Sequence, residues 1–398
     1  MKKIIILGAG ISGLAAGWYA RKLYGNQCSL TFIEKSARVG GWIETTIHNG
    51  FLFEKGPKGF RPHGKGKWTL ELVKELGLEK ELIWADHAAK KRYVWLEDKL
   101  RAVSPLLLLR YASLSDLLKE WKRKPASLVD ESIYAFFTRH FPISLVDNLI
   151  EPVVQGIFGG KSSSLSIRTC FPTLAKWEQE HGSLIKGLVQ TKKEKFPSPL
   201  CSFRKGMETL PKAIFEALDA EYLFSTEATS IVKGVVTTTQ GAFEADLILS
   251  SLPPQIPFLT LTTIHLGYHG KRLPKKGFGY LIPLKEEQGI LGMTWDSQIF
   301  PQHNQGPMTR LCVMLRGEWN QETGLETVLK SVERHVGIKT LPHAVETHVS
   351  KQAIPQYPVG YKPPEHAPPL FYVGSSQGAV GINDCIFQAY KAVESTVT

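Results

Sequence analysis

KIIILGAGISGLAAGWYARKLYGNQCSLTFIEK, running from Lys3 to Lys35, decides the fold. Lys3 to Leu7 is a short isoleucine-rich run closed by glycine, the pattern of a strand buried on both faces in a parallel sheet. Ile11 to Tyr24 has helical spacing, with Leu14, Trp18 and the small residues around them on one packed face. Ser29 to Ile33 reads as a second strand that ends at Glu34. Strand, glycine turn, helix and strand within about 35 residues make a βαβ unit. The turn itself, Gly8-Ala9-Gly10-Ile11-Ser12-Gly13, fits GxGxxG, and Glu34 follows about 20 residues after the last glycine. In that context Gly8 permits the tight turn, Gly10 lets a pyrophosphate approach the backbone, and Gly13 lets helix and strand close up. The helix N-terminus, at Ile11 and Ser12, offers free N–H donors and positive potential to phosphates. Glu34 is expected to accept hydrogen bonds from the ribose hydroxyls. The motif binds a dinucleotide but does not separate FAD from NAD.

Composition narrows the class. At 398 residues the chain exceeds one simple core and calls for two or three domains. Hydrophobic content of 43% and charged content of 21% are those of a globular protein. The net charge of +11 favours an anionic partner: nucleic acid, acidic lipid or an acidic small molecule. No helix-turn-helix, zinc finger or aromatic RNA platform accompanies that charge, so nucleic acid is not expected. The five cysteines are scattered without a CxxC pair, which argues against a disulfide framework or a zinc site and for a reducing, cytoplasmic setting. The N-terminal apolar run is broken by glycines too early for a secretory signal. No stretch of roughly 18 apolar residues predicts a membrane span.

Further along, Pro105 to about Val189 is helical in texture. Leu106 to Trp121 reads as one helix with Leu107, Tyr111, Leu114, Leu118 and Trp121 at steps of three and four, and Lys119, Lys122, Arg123 and Lys124 at its end. From Leu200 the chain returns to strands. Ser230 to Thr239 alternates with β-branched residues, and Asp246 to Ser251 is a buried strand ended by Pro253 and Pro254. Short strands follow in GFGYLIP, GILGMTW and RLCVML, and a last strand, Leu370 to Val373, leads into a glycine turn and a closing helix. These patterns predict an α/β protein: a discontinuous Rossmann-like domain in three segments, with two insertions.

Arg38-Val39-Gly40-Gly41-Trp42, directly after Glu34 and Lys35, resembles the glycine-rich extension of the flavin amine oxidase superfamily, which implies FAD rather than NAD. Phe53-Glu54-Lys55-Gly56-Pro57-Lys58-Gly59-Phe60-Arg61-Pro62 resembles the segment that passes beneath the isoalloxazine in that superfamily. The C-terminal FYVGS and GAVGIND (Gly378–Asp384) resemble the strand, turn and helix start that sit by the flavin pyrimidine, where N–H groups stabilise the charge of the reduced ring. GGWIETT, FEKGPKGFRP, LSIRTCFP, FRKGMETLP, IPQYPVGY and GINDCI then occur in order, and this ordered set is similar to the oxygen-dependent protoporphyrinogen oxidase family over nearly the whole chain. Gln377 and Gly378 depart from it, standing where the family carries bulkier residues.

That resemblance implies an FAD-binding domain in segments 1–85, 201–255 and 346–398, a mixed-sheet substrate domain in 86–105 and 256–345, and a helical, membrane-associating insertion at 106–200. It implies FAD contacts at Gly8, Gly10, Ile11, Ser12, Gly13, Glu34, Lys35, Arg38, Gly41, Trp42, Gly56, Pro57, Lys58, Gly59, Ala228, Ser375, Val380 and Ile382, with Arg38 facing the phosphates. It further implies oxidation of protoporphyrinogen to protoporphyrin in haem synthesis. Six hydrogens leave in three two-electron steps, and dioxygen is the acceptor. No dedicated catalytic residue is demanded, because pyrrole N–H groups shed their own protons. Arg92 would pair with a propionate, its fork suiting a carboxylate. Phe278 and Leu281 would sandwich the macrocycle, and Met314 and Gly159 would wall the pocket. A peripheral place on the inner face of the cell membrane, and neighbouring haem-pathway enzymes as partners, belong to the same expectation. The residues alone leave alternatives open: a coproporphyrinogen oxidase, another amine oxidase-type flavoenzyme or a carotenoid desaturase, and a porphyrin carrier that keeps FAD only structurally.

Overall fold

The computed structural model describes residues 1–126, 129–191, 195–253, 255–286, 289–378 and 380–397. Ala379 of the GAVGIND turn and Pro254 lie outside the described residues. The opening strand is Lys2–Leu7, and its Ile4 to Leu7 are buried, as a strand covered on both faces requires. It pairs in parallel with Cys28–Ile33 on one side and Leu247–Ser250 on the other. Glu221–Leu223 and Leu370–Tyr372 complete a five-stranded parallel sheet. Its strands thus come from the beginning, middle and end of the chain. The helix Ile11–Tyr24 and the closing helix Ile382–Glu394 cover one face, around a core that includes Ile6, Leu14, Phe32, Leu249 and Ile386. Each such side chain contributes roughly 2 kcal/mol by leaving water.

A second sheet, of seven strands, is mixed: Ala344–Pro355, Phe258–His269, Met308–Arg316, Ile290–Thr294, Gly279–Leu281, Tyr93–Leu96 and Lys99–Ala102, in that spatial order. One face packs on the helix Gln321–Val336 through Ile264, Tyr280, Met293, Val313 and Val332. The hairpin Thr45–His48 and Phe51–Glu54 lies against the edge where Thr46 bonds Glu346. Ala344–Pro355 crosses the expected boundary at residue 345, because its pairing with Phe258–His269 keeps it in the seven-stranded sheet.

Three local expectations need correction. Leu106 to Trp121 is two helices, Pro105–Tyr111 and Leu114–Trp121, because Ser113 caps the second in a reciprocal box with Asp116 and Ala112 is extended. Ser230 to Thr239 is the greater part of a hairpin, Ala228–Val232 and Val235–Thr238, turned at Lys233 and Gly234, both at positive φ. FRKGMETLP, expected among strands, leads into the helix Thr209–Ala217. No helix among the described residues is long and apolar enough to cross a membrane.

Candidate active site

The glycine turn is built by close backbone approach, and its three glycines answer to different neighbours. A Cβ on Gly13 would stand 1.9 Å from the Gly8 carbonyl oxygen, and one on Gly8 would meet the Ser251 hydroxyl at 2.4 Å. A Cβ on Gly10 would meet nothing nearer than Gly41 Cα at 3.6 Å. The protein therefore needs glycine at 8 and 13 for its own packing, whereas at Gly10 its own packing would admit a methyl. Gly40 docks on this turn through its amide to the Ala9 carbonyl, which brings Gly41 over Gly10.

Two helices start here without side-chain caps, at Gly10 and Gly381, so their first-turn amides remain available as donors. The Ser12 hydroxyl lies against Gly374, which opens the turn ahead of the second helix. An open cradle at Gly10 and two uncapped helix ends fit an extended dinucleotide with anionic groups. Ile11, Ser12 and Gly13 would hold its pyrophosphate, and Ile382, Val380 and Ser375 the far end of its ring. Ser375 is fixed by its carbonyl, which accepts from the Tyr357 hydroxyl at 2.7 Å.

The remaining expected cofactor residues fall around this cradle with differing tasks. Glu34 accepts from the Ala9 amide at 2.7 Å and from the Ser36 amide and hydroxyl, so the carboxylate also ties the second strand to the turn. Arg38, expected to face phosphates, donates instead to the carbonyls of Val39, Gly41 and Ile43 and pairs with Glu44 at 2.9 Å. Its guanidinium shapes the second glycine turn from within. Lys35 is exposed and Trp42 is 49% exposed. Bonds from Ser225 and Thr226 to the carbonyls of Ser36 and Glu34 bring the chain entering Ala228 alongside Glu34. Gly56 abuts the Trp42 carbonyl and Gly59 that of Cys201, with Pro57 between them. Lys58 pairs at 2.8 Å with Asp296, which opens the short helix after the strand Ile290–Thr294. Burial alone would lower the Lys58 pKa, but Asp296 and Cys312 raise it above its usual value. Burial pushes Glu54 up to about 7, against hydrogen bonds from Met207 and Thr45.

On the substrate side, Arg92 and Phe278 meet: the guanidinium stands 4.8 Å from the ring centroid. Burial and then the charge of Arg61 lower the Arg92 pKa. Phe278 packs with the cluster of Ile83, Ala89, Ile299 and Phe300. Leu281 pairs with Gly292, and Gly292 with Met314, which sets Leu281 and Met314 on one face. The helix Glu151–Phe158 lies over Leu281, for a Cβ on Gly156 would sit 2.6 Å from Leu281 Cδ2. Gly159 ends that helix in a left-handed turn against Leu259. Phe278 and Leu281, expected to act as a pair, thus pack against different neighbours. Gly156, Gly292 and Thr263 adjoin Leu281 and Met314, and only strand register and packing reveal them.

A family profile described as flavin containing amine oxidoreductase matches residues 11–256. Human protoporphyrinogen oxidase is 30% identical over 100% of this chain and 98% of its own length. The chain belongs to the protoporphyrinogen oxidase family of flavin-containing amine oxidoreductases. FAD is its cofactor. Coproporphyrinogen III oxidase of Bacillus subtilis is also similar, 26% identical over 100% of this chain and 98% of its own. In fold, the crystal structure of reduced UDP-galactopyranose mutase is similar to this chain at TM-score 0.76, covering 100% of this chain and 96% of that one at 14% identity.

Proposed function

We propose that this chain oxidises protoporphyrinogen to protoporphyrin in three two-electron steps, with dioxygen as final acceptor. The observation that carries the reading is the Arg92 guanidinium 4.8 Å from the Phe278 ring, at the start of a strand in the same seven-stranded sheet that sets Leu281 and Met314 on one face. FAD, when bound, supplies the two-electron acceptor. The protein's part is to seat a flat apolar ring against that face and hold its carboxylates at the cationic rim. The planar fork of Arg92 suits a propionate carboxylate. The helix Glu151–Phe158 keeps water from the ring.

A second reading, oxidation of coproporphyrinogen, is favoured by the B. subtilis relative. Both porphyrinogens offered side by side in air, with porphyrin fluorescence and peroxide followed, separate the two. Faster turnover of protoporphyrinogen is expected. A strong preference for coproporphyrinogen transfers the proposal to the second reading, and no porphyrin from either overturns both.

We also propose that residues 106–200 rest on an anionic membrane surface. In Leu114–Trp121 the buried residue is Glu120, while Leu114, Leu118 and Trp121 are exposed. Glu120 is drawn inward by His140, Ser183 and the amide of Leu184. That orientation turns the apolar face outward, and Leu106, Leu109, Ile143, Lys119, Lys122 and Lys124 are exposed as well. An outward apolar stripe flanked by lysines suits the headgroup region.

A further inference from the structure

The seven-stranded sheet ends at Lys99–Ala102, an edge strand paired with Tyr93–Leu96. Along that edge runs an open trough of about 660 Å³, within the size range of small-molecule sites. Its lining is basic. Lys99 and Arg101 come from the strand, Arg110 from the helix Pro105–Tyr111, Lys275 from the loop before Gly279–Leu281, and Arg334 from the helix Gln321–Val336. Charged residues on an edge strand guard it against pairing with another chain, and Lys99 and Arg101 suffice for that. Guarding does not account for the cations that three further elements bring to the same place.

Glu97 accepts from both Arg101 and Arg110, and Asp98 accepts from Arg334. Glu286 accepts from the Glu97 amide at 3.2 Å. Five cations against these three carboxylates leave the trough positive. Glu97 and Asp98 form the two-residue turn of the hairpin at φ 53° and 54°, the left-handed region that asparagine and glycine enter at least cost. In return for that cost, their carboxylates hold three guanidiniums in place along the edge. Both bonds to Glu97 use an Nη2, and a guanidinium carries five N–H donors, so Arg101 and Arg110 keep forks for a second anion. The trough also has an apolar end. Leu106 lines it and is 80% exposed. Its helix buries Leu107 in the cluster of Val94 and Leu96 and leaves Leu108 and Leu109 outside. Lys99 and Arg101 pair across the hairpin with Leu96 and Val94, so they share the face on which that helix lies. Cations and bare leucines thus meet on one side of the sheet edge, which suits an anionic amphiphile better than a small soluble anion.

We propose that this trough seats the headgroup of an anionic phospholipid, its phosphate on the forks of Arg101 and Arg110 and its chains along Leu106 and Leu109. The proposal rests on the membrane reading above for the source of its ligand, and adds to it a discrete site. A phosphodiester takes paired hydrogen bonds from a guanidinium, as a carboxylate does. A lipid held there fixes how the protein lies, with the edge of the seven-stranded sheet and the exposed leucines against one surface.

The test uses the FAD-loaded full chain and monomeric dihexanoyl phosphatidylglycerol, followed by calorimetry. Saturable binding of one lipid per chain is expected, with glycerol 3-phosphate at least about tenfold weaker because it leaves the leucines bare. Arg101→Gln combined with Arg110→Gln should weaken the lipid about 30-fold. Lys212→Gln with Lys391→Gln removes the same charge from glutamate-paired lysines of the cofactor domain and should leave lipid affinity within about twofold. Parental lipid affinity in the arginine pair overturns the site. If that pair fails to load flavin, Leu106→Gln replaces it: lipid should bind about fivefold more weakly and glycerol 3-phosphate as in the parent. Parental lipid affinity in Leu106→Gln likewise overturns the proposal. Inorganic phosphate or glycerol 3-phosphate binding as tightly as the lipid overturns the lipid assignment in favour of a soluble anion. The parent is also floated on phosphatidylcholine vesicles with and without phosphatidylglycerol. Flotation on the anionic vesicles without saturable binding of monomeric lipid overturns the trough and leaves the membrane reading standing. Saturable binding without flotation sinks the membrane reading and leaves the site, which keeps the two failures apart.

Discussion

Gly10 and Gly13 carry the same side chain and should fail in opposite ways when it is enlarged. Gly10 has φ −72° and ψ 176°, a conformation open to alanine, and an added methyl makes only ordinary contact with Gly41. The gain of about 0.4–1 kcal/mol from a stiffer unfolded chain is offset by alanine's weaker fit at a helix N-cap. The Gly10→Ala apoprotein should therefore melt within about 1 kcal/mol of the parent. Gly13→Ala forces a methyl to 1.9 Å from the Gly8 carbonyl, a backbone atom that cannot step aside. It should cost about 1–3 kcal/mol or more of apoprotein stability. FAD titration reverses the pattern for Gly10, where the methyl occupies the approach of the pyrophosphate. A loss of about 100-fold in affinity, near 2.7 kcal/mol, is expected. Denaturant melts of the apoproteins and fluorescence quenching of added FAD measure the two quantities. Parental FAD affinity in Gly10→Ala would refute the idea that the cofactor lies over that residue. An apoprotein loss as large as that of Gly13→Ala would show that Gly10 serves the fold.

Arg92→Ala should raise KM for protoporphyrinogen about tenfold or more with flavin content unchanged, because uniform binding at the rim is lost; steady-state porphyrin fluorescence measures it. Asp296→Asn leaves the buried Lys58 ammonium without its carboxylate and should cost on the order of 3 kcal/mol in a denaturant melt. Glu54 sits at about 7 in the folded chain against 4.5 unperturbed, so the native state holds the extra proton between those values. Stability should accordingly fall as pH rises from about 5 to 7 and level off above. Glu54→Gln should remove that slope, by up to about 3 kcal/mol, in melts taken across the range. On anionic liposomes at low salt the parent should float and Leu114→Glu, Leu118→Glu should stay at the bottom of the gradient.

The contacts also separate what was legible from what was not. The βαβ start, the second glycine segment and the closing strand and helix are written in local patterns: apolar runs, glycines at fixed offsets and an acid at a strand tip. These depend on backbone geometry within a few residues, so the chain alone declares them. The split of Leu106–Trp121 was also local, in Ser113 and Asp116, but the apolar period across it masked the cap.

What the sequence by itself determined is the cofactor cradle, since a phosphate-binding turn is a short-range device whose residues lie side by side in the chain. Only the tertiary structure decided what surrounds it. Arg38 turns inward to its own loop's carbonyls, and Glu120 turns into a helical bundle and leaves leucines outside. Each of those outcomes depends on partners tens or hundreds of residues away or on a competition for hydrogen bonds. Strand register and burial settle such competitions, and neither is fixed until distant segments pack.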